Sequence, residues 1–415
     1  MIDNLEQTYN DFPYDSLAVK QTHPWHLYQL AKACGLDSPP LPRAKVLELG
    51  CASGGNLIPM AYHLPSTHFV GIDLAQRQIE TGQEIISELG LTNIELKHQS
   101  ISDFQTEDTF DYIICHGLFS WVPQSVSEDV FAICQNYLSQ DGVAYISYNT
   151  FPGWQIGNIV REILKQKTDA ILAPYQKVKI ARQTLNDLSI LLQKENNAYS
   201  ELLQKEIALI SEHSDHQMLH EHLSPYHFPL TISDFMLKAA RYRLMYVSDA
   251  FLSNDEQSVT IDELQRLDML RNRRFRCTLL CHQQNRILKR PTVEDNFEMS
   301  FKVADVVNVP EKPSICPLVR YQAASQEVVT NHRHENISLS PIAQTLIPYL
   351  NGMNDKEALT QILTRDVEQG ELILVDKDGM EIKESAVRHQ HTARMCEETL
   401  ILMARNALFI YPQHP

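Results

Sequence analysis

The chain has 415 residues, 43% of them hydrophobic and 21% charged, with 20 prolines and 14 glycines. That composition excludes a disordered or fibrous protein and is ample for two or three domains. A formal net charge of −16 sets the overall field against phosphate backbones and anionic lipid, so neither nucleic acid nor a membrane surface is an expected partner.

The acidic start MIDNLEQTYNDFPYDS has no apolar stretch and does not read as a secretory signal, and no run long enough for a transmembrane helix follows it. Eight cysteines without a CxxC pair read as buried, reduced thiols of a cytoplasmic protein. Residues 1–40 form an N-terminal arm with one helix, PWHLYQLAKACGL (24–36), stopped by its glycine, and SPPLP (38–42) is a linker. Then alternation begins. KVLELG (45–50) reads as a buried strand, NLIPMAYHL (56–64) as a helix, HFVGID (68–73) as a strand and 74–90 as a helix closed by Gly90. Strands at 93–100, 110–117 and 142–150 follow, with a helix near 127–138. Over 41–153 this predicts a parallel sheet covered by helices on both faces.

From 154 to 228 the chain reads as helical and polar. Near 231 the alternation resumes, with the amphipathic helix TISDFMLKAARYR, the strand LMYVSDAF and, after a charged loop, the strand RFRCTLLCH (274–282). Residues 229–288 are therefore expected to complete the core sheet, and 154–228 to be a helical insertion. RNRRFR (271–276) is the one candidate basic patch. Residues 289–415 read as a separate C-terminal unit: two short helices (341–350 and 355–369), a hairpin in ELILVDKDGMEIK with a DG turn, and a final helix (384–406). The DxDG of that hairpin lacks the third oxygen ligand and the later Glu of a calcium loop.

VLELGCASGGN (46–56) carries the chemistry. Gly50, Ala52 and Gly55 fit the GxGxxG spacing with Ala in the middle, a weak signal alone. Asp73, ending the second strand, suits the ribose of either a nicotinamide or an S-adenosylmethionine (SAM) site. Glu48 discriminates between them. Beside a pyrophosphate, a carboxylate at ~4 Å costs about 4 kcal/mol per charge pair at an effective dielectric of ~20. Beside the α-ammonium of SAM it is attractive. Ala52 is tolerable in such a turn if its position is merely crowded.

VLELGCASGGN, GIDLA, CHGLFSWVP and YISYNTFPGW resemble the class I SAM-dependent methyltransferases. They more closely resemble the bacterial branch with an appended methyltransferase regulatory domain, which includes the rickettsial-type protein lysine methyltransferases. The likeness runs from YNDFPYDS to RNRRFRCTLLCH and fades over the last 120 residues. It implies an α/β fold with a Rossmann-like seven-stranded sheet, a helical insertion and a small α+β C-terminal domain. It also implies roles: Glu48 facing the methionyl part, Gly50 and Gly54 approaching it, and Asp73 on the ribose with Leu74 beside it. The usual Asp at the adenine is replaced by Ser100, followed by Ile101, with Asp103 nearby. His116, ending the fourth strand, completes the expected cofactor set.

Acceptor chemistry belongs at the carboxyl ends of strands four and five. His116, Phe119 and Trp121 follow one; Tyr148, Asn149, Phe151 and Trp154 end or follow the other. We expect a narrow aromatic slot in which His116, Tyr148, Asn149 and Trp154 are catalytic and Asn149 orients the nucleophile. A lysine amine would need its pKa lowered from about 10.4 to about 7.4, roughly 4 kcal/mol, and desolvation beside a sulfonium acts in that direction. A hydroxyl or amide acceptor would need a base, and His116 is the candidate. In HSDHQMLHEHLSPYH (213–227), His216 and His220 lie four apart, but thiolates and the HExxH order are absent, so no metal is expected. The segment reads either as a polar helix end or, as the branch resemblance implies, with His220 and Glu221 facing the acceptor cleft. YNDFPYDSLAVKQTHP is a candidate lid, with Tyr9, Tyr14 and His23 the residues to test. The expected function is methyl transfer from SAM to protein lysines. Transfer to a small molecule, or a SAM-binding regulator without catalysis, are the alternatives. A homodimer is compatible with all three.

Overall fold

A seven-stranded sheet and the helices that cover it account for most of the chain. The computed structural model describes residues 2–13, 16–251, 260–287, 308–373 and 385–410. They divide into two compact units, one of Met1–Ser16 with Gln21–Phe297 and one of Leu17–Lys20 with Glu298–Pro415.

In the first unit the elements run α1 (Ile2–Asp11), α2 (Pro24–Ala33), β1 (Lys45–Leu49), α3 (Leu57–His63), β2 (His68–Asp73), α4 (Gln76–Glu88), β3 (Ile94–His98), β4 (Phe110–Cys115), α5 (Gln124–Tyr137) and β5 (Leu138–Asn149). There follow α6 (Gln155–Thr168), α7 (Pro174–Leu192), α8 (Ala198–Ser211) and a single turn, α9 (Asp215–Gln217), that runs into a π-helical turn (Met218–His222). Then come α10 (Ile232–Arg241), β6 (Leu244–Asp249), α11 (Ile261–Arg271) and β7 (Phe275–His282). The sheet order is β3-β2-β1-β4-β5-β7-β6. β1 to β5 are parallel, and β7 lies antiparallel between β5 and β6.

Strands buried on both faces read as unbroken apolar runs, which is why KVLEL and FDYIIC were legible. On one face Leu27, Leu30, Val46, Tyr112 and Tyr145 share a core. On the other, Leu47, Ile113, Phe131, Tyr148 and Phe235 do. The helices after β5 have a core of their own around Leu164, Ala181, Leu203, Ile207 and Met218.

Two readings change. The charged loop expected before β7 contains α11, whose start is a reciprocal cap between Thr260 and Glu263. The arginines of RNRRFR do not form a surface patch. Arg273 pairs with Asp268 (2.9 Å), Arg274 grips Glu206 with two bonds (2.9 and 2.7 Å), and the buried Arg276 bridges Asp268 (2.7 and 2.8 Å) and Asp249. All eight cysteines are buried free thiols.

The second unit holds α12 (Pro317–Ser325), the antiparallel pair β8 (Val328–Thr330) and β9 (Asn336–Ser338), α13 (Pro341–Leu346), α14 (Lys356–Glu368) and α15 (Ser385–Arg405). Its core includes Leu346, Leu359, Leu363, Leu400 and Met403. The helices expected at 341–350 and 355–369 are α13, extended by a 3-10 turn, and α14. α12 and the β8–β9 pair had no clear signature, and the hairpin expected in 371–383 falls largely outside the described residues. No helix among the described residues is long and apolar enough to cross a membrane.

Candidate active site

β1 delivers the chain into a turn in which Gly50 (φ 77°), Ala52 (φ 49°) and Gly54 (φ 77°) all hold left-handed backbone. Ala52 is therefore not merely crowded. It carries a conformation that costs an L-residue roughly 1–2 kcal/mol, and the turn holds it there by a hydrogen bond from Ala52 N to Asp73 Oδ2 (2.8 Å). The other oxygen of Asp73 accepts from Ala75 N (2.8 Å) at the start of α4. Asp73 thus braces the turn. Ala52→Gly is expected to stabilise the protein by about 1 kcal/mol, read as a higher unfolding midpoint. An unchanged or lower midpoint would mean the turn is not strained.

Glu48 lies buried under this turn, 4% exposed. Its Oε1 accepts from Asn56 Nδ2 (2.8 Å), and Asn56 is itself tied to Thr22 Oγ1 (2.9 Å). Oε2 is buried with no hydrogen-bond partner. Burial pushes the carboxyl up to about 7. A buried acceptor left unsatisfied fits a cationic group placed against it. It does not fit a pyrophosphate.

The N-terminal arm lies against the same turn. Gly55 N donates to Ser16 Oγ (2.8 Å), and a Cβ on Gly55 would stand 2.0 Å from Ser16 O, so only glycine admits this approach. Tyr9 is stacked on His220 at 4.6 Å, and its hydroxyl is pushed up to about 12 by burial and by the nearby Asp73 carboxylate. His23 caps α2 by accepting from Trp25 N (3.2 Å), and Tyr14 lies outside the described residues.

At the ends of β4 and β5, Trp121 and Trp154 meet edge to face at 5.4 Å. His227 stacks on Trp121 (4.4 Å) and stands edge-on to Trp154 (4.6 Å). Asn149 joins this cluster through its Nδ2, 3.1 Å from His227 Nε2, while Asn149 N donates to Ser120 Oγ (2.8 Å). Two guanidinium groups flank the cluster: Arg161 lies 6.0 Å from the Trp121 ring and Arg274 4.9 Å from that of Trp154. Burial and these two cations hold the His227 imidazole down at about 3, so it is neutral at ordinary pH.

The structure does not bring every expected residue to this rim. Tyr148 points into the core, stacked on Phe235 at 4.1 Å, with its hydroxyl beside Thr278 Oγ1 (3.4 Å). His116 sits against Tyr145 and Phe275, its Nδ1 3.0 Å from the Tyr145 hydroxyl, and burial lowers it to about 4. Neither touches the tryptophan pair through the contacts it makes. His220 faces the N-terminal arm, with Nε2 2.6 Å from Phe12 O. Glu221 instead groups with His213 and His222, whose ligand atoms lie within 4.8 Å of one another. Burial is the main cause that lowers His222, to about 3, and His213, Arg161 and Arg274 add to it. Ser100 caps the turn after β3 by accepting from Ser102 N (3.3 Å). Half-buried Ile101 packs on the core, and Leu74 is half-buried beside Asp73. His227, Asn158 and Arg161 were not singled out from the sequence, and Arg274 entered only as part of the candidate basic patch RNRRFR. Only the clustered histidines of 213–227 drew attention to that segment.

Two family models match the chain: a methyltransferase domain over residues 41–224 and the PKMT C-terminal winged helix domain over residues 311–408. The uncharacterized protein RP028 of Rickettsia prowazekii (strain Madrid E) is 34% identical over 235 residues, covering 56% of this chain and 94% of that protein. The chain belongs to this methyltransferase family. A second relative from the same organism, the uncharacterized protein RP789, is 36% identical over 322 residues, or 74% of this chain. The chain spans 57% of that relative's length. The solved structure of PKMT2 from Rickettsia typhi in complex with AdoHcy matches with a TM-score of 0.83 at 23% identity, over 96% of this chain and 100% of that one. The fold is therefore the class I methyltransferase sheet followed by a winged helix domain.

The raised carboxyl of Glu48 makes the turn over it sensitive to pH. Its folded pKa, about 7, stands above the ordinary 4.5, so its stabilising contribution is complete below pH 4.5 and is lost as pH rises to about 7. A cation at Oε2 restores the ionised form. SAM affinity is accordingly expected to rise between pH 5.5 and 7.5 with release of a proton, measurable by calorimetry in buffers of different ionisation enthalpy. Glu48→Gln is expected to weaken SAM by about 1.5–3 kcal/mol and neutral adenosine much less. Equal losses for both ligands would contradict the assignment.

Proposed function

We propose that the protein is a SAM-dependent methyltransferase acting on lysine side chains of a protein, working in the cytoplasm, where its eight buried thiols stay reduced. SAM would be held by Glu48, by the turn from Gly50 to Gly54 and by Asp73. Leu74, Ser100 and Ile101 would lie on the adenosine side. When bound it supplies a methyl group on a sulfonium. The AdoHcy in the Rickettsia typhi PKMT2 structure and the PKMT-type winged helix model both support this reading.

The rim supports this acceptor class. Its imidazole, His227, is held neutral at about 3, and His116, away from the rim, at about 4, both far below the range that suits a general base near pH 7. A hydroxyl or amide acceptor would lack a strong base. A lysine needs only to arrive as its neutral amine. The burial that keeps His227 uncharged, with Arg161 and Arg274 adding to it, disfavours an ammonium in the same place. The observation that carries the proposal is this neutral, cation-flanked aromatic cluster with Asn149 on its edge. The helices of 154–228 contribute its far side.

Incubating the protein with methyl-labelled SAM and an extract of its own cells tests the proposal. Label is expected in protein, at lysine. Label confined to small molecules would put the small-molecule reading ahead. No label, with SAM still raising the unfolding temperature, would point to a regulator that binds without catalysis.

A further inference from the structure

Residues 227–230 are pinned across the ends of two strands. Phe228 N donates to Ser120 O (2.9 Å) after β4, and Leu230 N donates to Asn149 O (3.0 Å) at the end of β5. The chain returning from the helical insertion is thereby fixed beside Asn149, and the His227 ring is wedged between Trp121 and Trp154.

The two ring nitrogens have different partners. Nδ1 lies 2.8 Å from Asn158 Oδ1, and Nε2 lies 3.1 Å from Asn149 Nδ2. An amide oxygen can only accept, so Nδ1 carries the proton. The ring is neutral, hence Nε2 carries a lone pair and calls for a donor. Asn149 meets it with its NH2. The amide is planar, so Oδ1 is turned away from His227.

We infer that His227 is a positioning residue that holds the Asn149 amide with its oxygen toward the methyl acceptor, so that the site selects nucleophiles with an N–H to donate. A neutral amine donates one N–H to that oxygen and keeps its lone pair for bond formation. A thiolate or carboxylate has no hydrogen to offer and meets an oxygen lone pair instead. This inference rests on the reading of Asn149 as the group that faces the acceptor. Asn158 acts one step further out, since it sets the tautomer that sets the amide.

The test has two arms on the full chain. Nitrogen-15 NMR of the histidines, assigned by comparison with His227→Phe, is expected to show His227 protonated at Nδ1. Protonation at Nε2 would reverse the amide and overturn the inference. In kinetics His227→Phe keeps the stacked ring and removes both nitrogens. It is expected to lower kcat by about a hundredfold, the scale of a misplaced reacting group, with SAM affinity and acceptor KM within about twofold. His227→Gln, whose amide oxygen can accept from Asn149, is expected to recover part of the loss. A Phe variant that keeps wild-type kcat, or loses kcat and SAM affinity together, would overturn the inference. If the wild-type enzyme methylates no amine while NMR still shows the Nδ1–H ring, the acceptor reading fails and the orientation of Asn149 stands.

Discussion

Asn149→Ala is expected to reduce turnover by about a hundredfold or more while SAM affinity changes by less than about twofold. The side chain is 3% exposed and ends β5, where its backbone is anchored independently by Ser120 Oγ and by Leu230 N. Truncation therefore removes the amide without releasing the strand end. What is lost is one hydrogen bond to the acceptor and the alignment it imposes, a contribution realised mainly as the amine approaches the methyl group. Steady-state kinetics with a lysine-bearing acceptor, beside calorimetry with SAM, separates the two effects. Equal losses in both would mean that Asn149 supports the cofactor site instead.

The largest effect on stability is expected at Arg276. Its guanidinium is fully buried and holds Asp268 with two bonds and Asp249 with another, all inside the sheet's antiparallel edge. Arg276→Met fills similar volume but strips Asp249 of this guanidinium and leaves Asp268 with Arg273 alone, a loss of about 3–5 kcal/mol. Chemical denaturation will report it as a lower midpoint. Adding Asp268→Asn and Asp249→Asn to Arg276→Met is expected to recover part of the loss, since the stranded charges are then gone. A single variant as stable as the wild type would show that the cluster contributes nothing net.

Much of this architecture is legible in the sequence, and the failures have physical reasons. Strands buried on both faces announce themselves as apolar runs, and the turn from Gly50 to Gly54 with Glu48 before it is local in the chain. The order of β7 and β6 depends on pairings that no short window contains. Tyr148 is the instructive case. It and Asn149 are neighbours in an extended strand, and successive side chains in a strand point to opposite faces. If Asn149 faces the rim, Tyr148 must enter the core, as it does against Phe235. That constraint was present in the sequence. His227 was not legible in the same way: it meets Asn149 across 78 residues of chain, through a bridge beside Thr150 and Leu230. The arginines of RNRRFR looked like a surface patch because their acidic partners, Glu206, Asp249 and Asp268, are scattered along the chain.

The central claim is that the turn over Glu48 and the aromatic rim at Asn149 are two halves of one reaction site. A crystal structure of the wild-type chain with S-adenosylhomocysteine tests it most directly. The account predicts the ligand's α-ammonium against Glu48, its ribose on Asp73, and its sulfur open toward Asn149, Trp121 and Trp154. A ligand bound with its sulfur turned away from Asn149, or with Glu48 facing no cation, would contradict it.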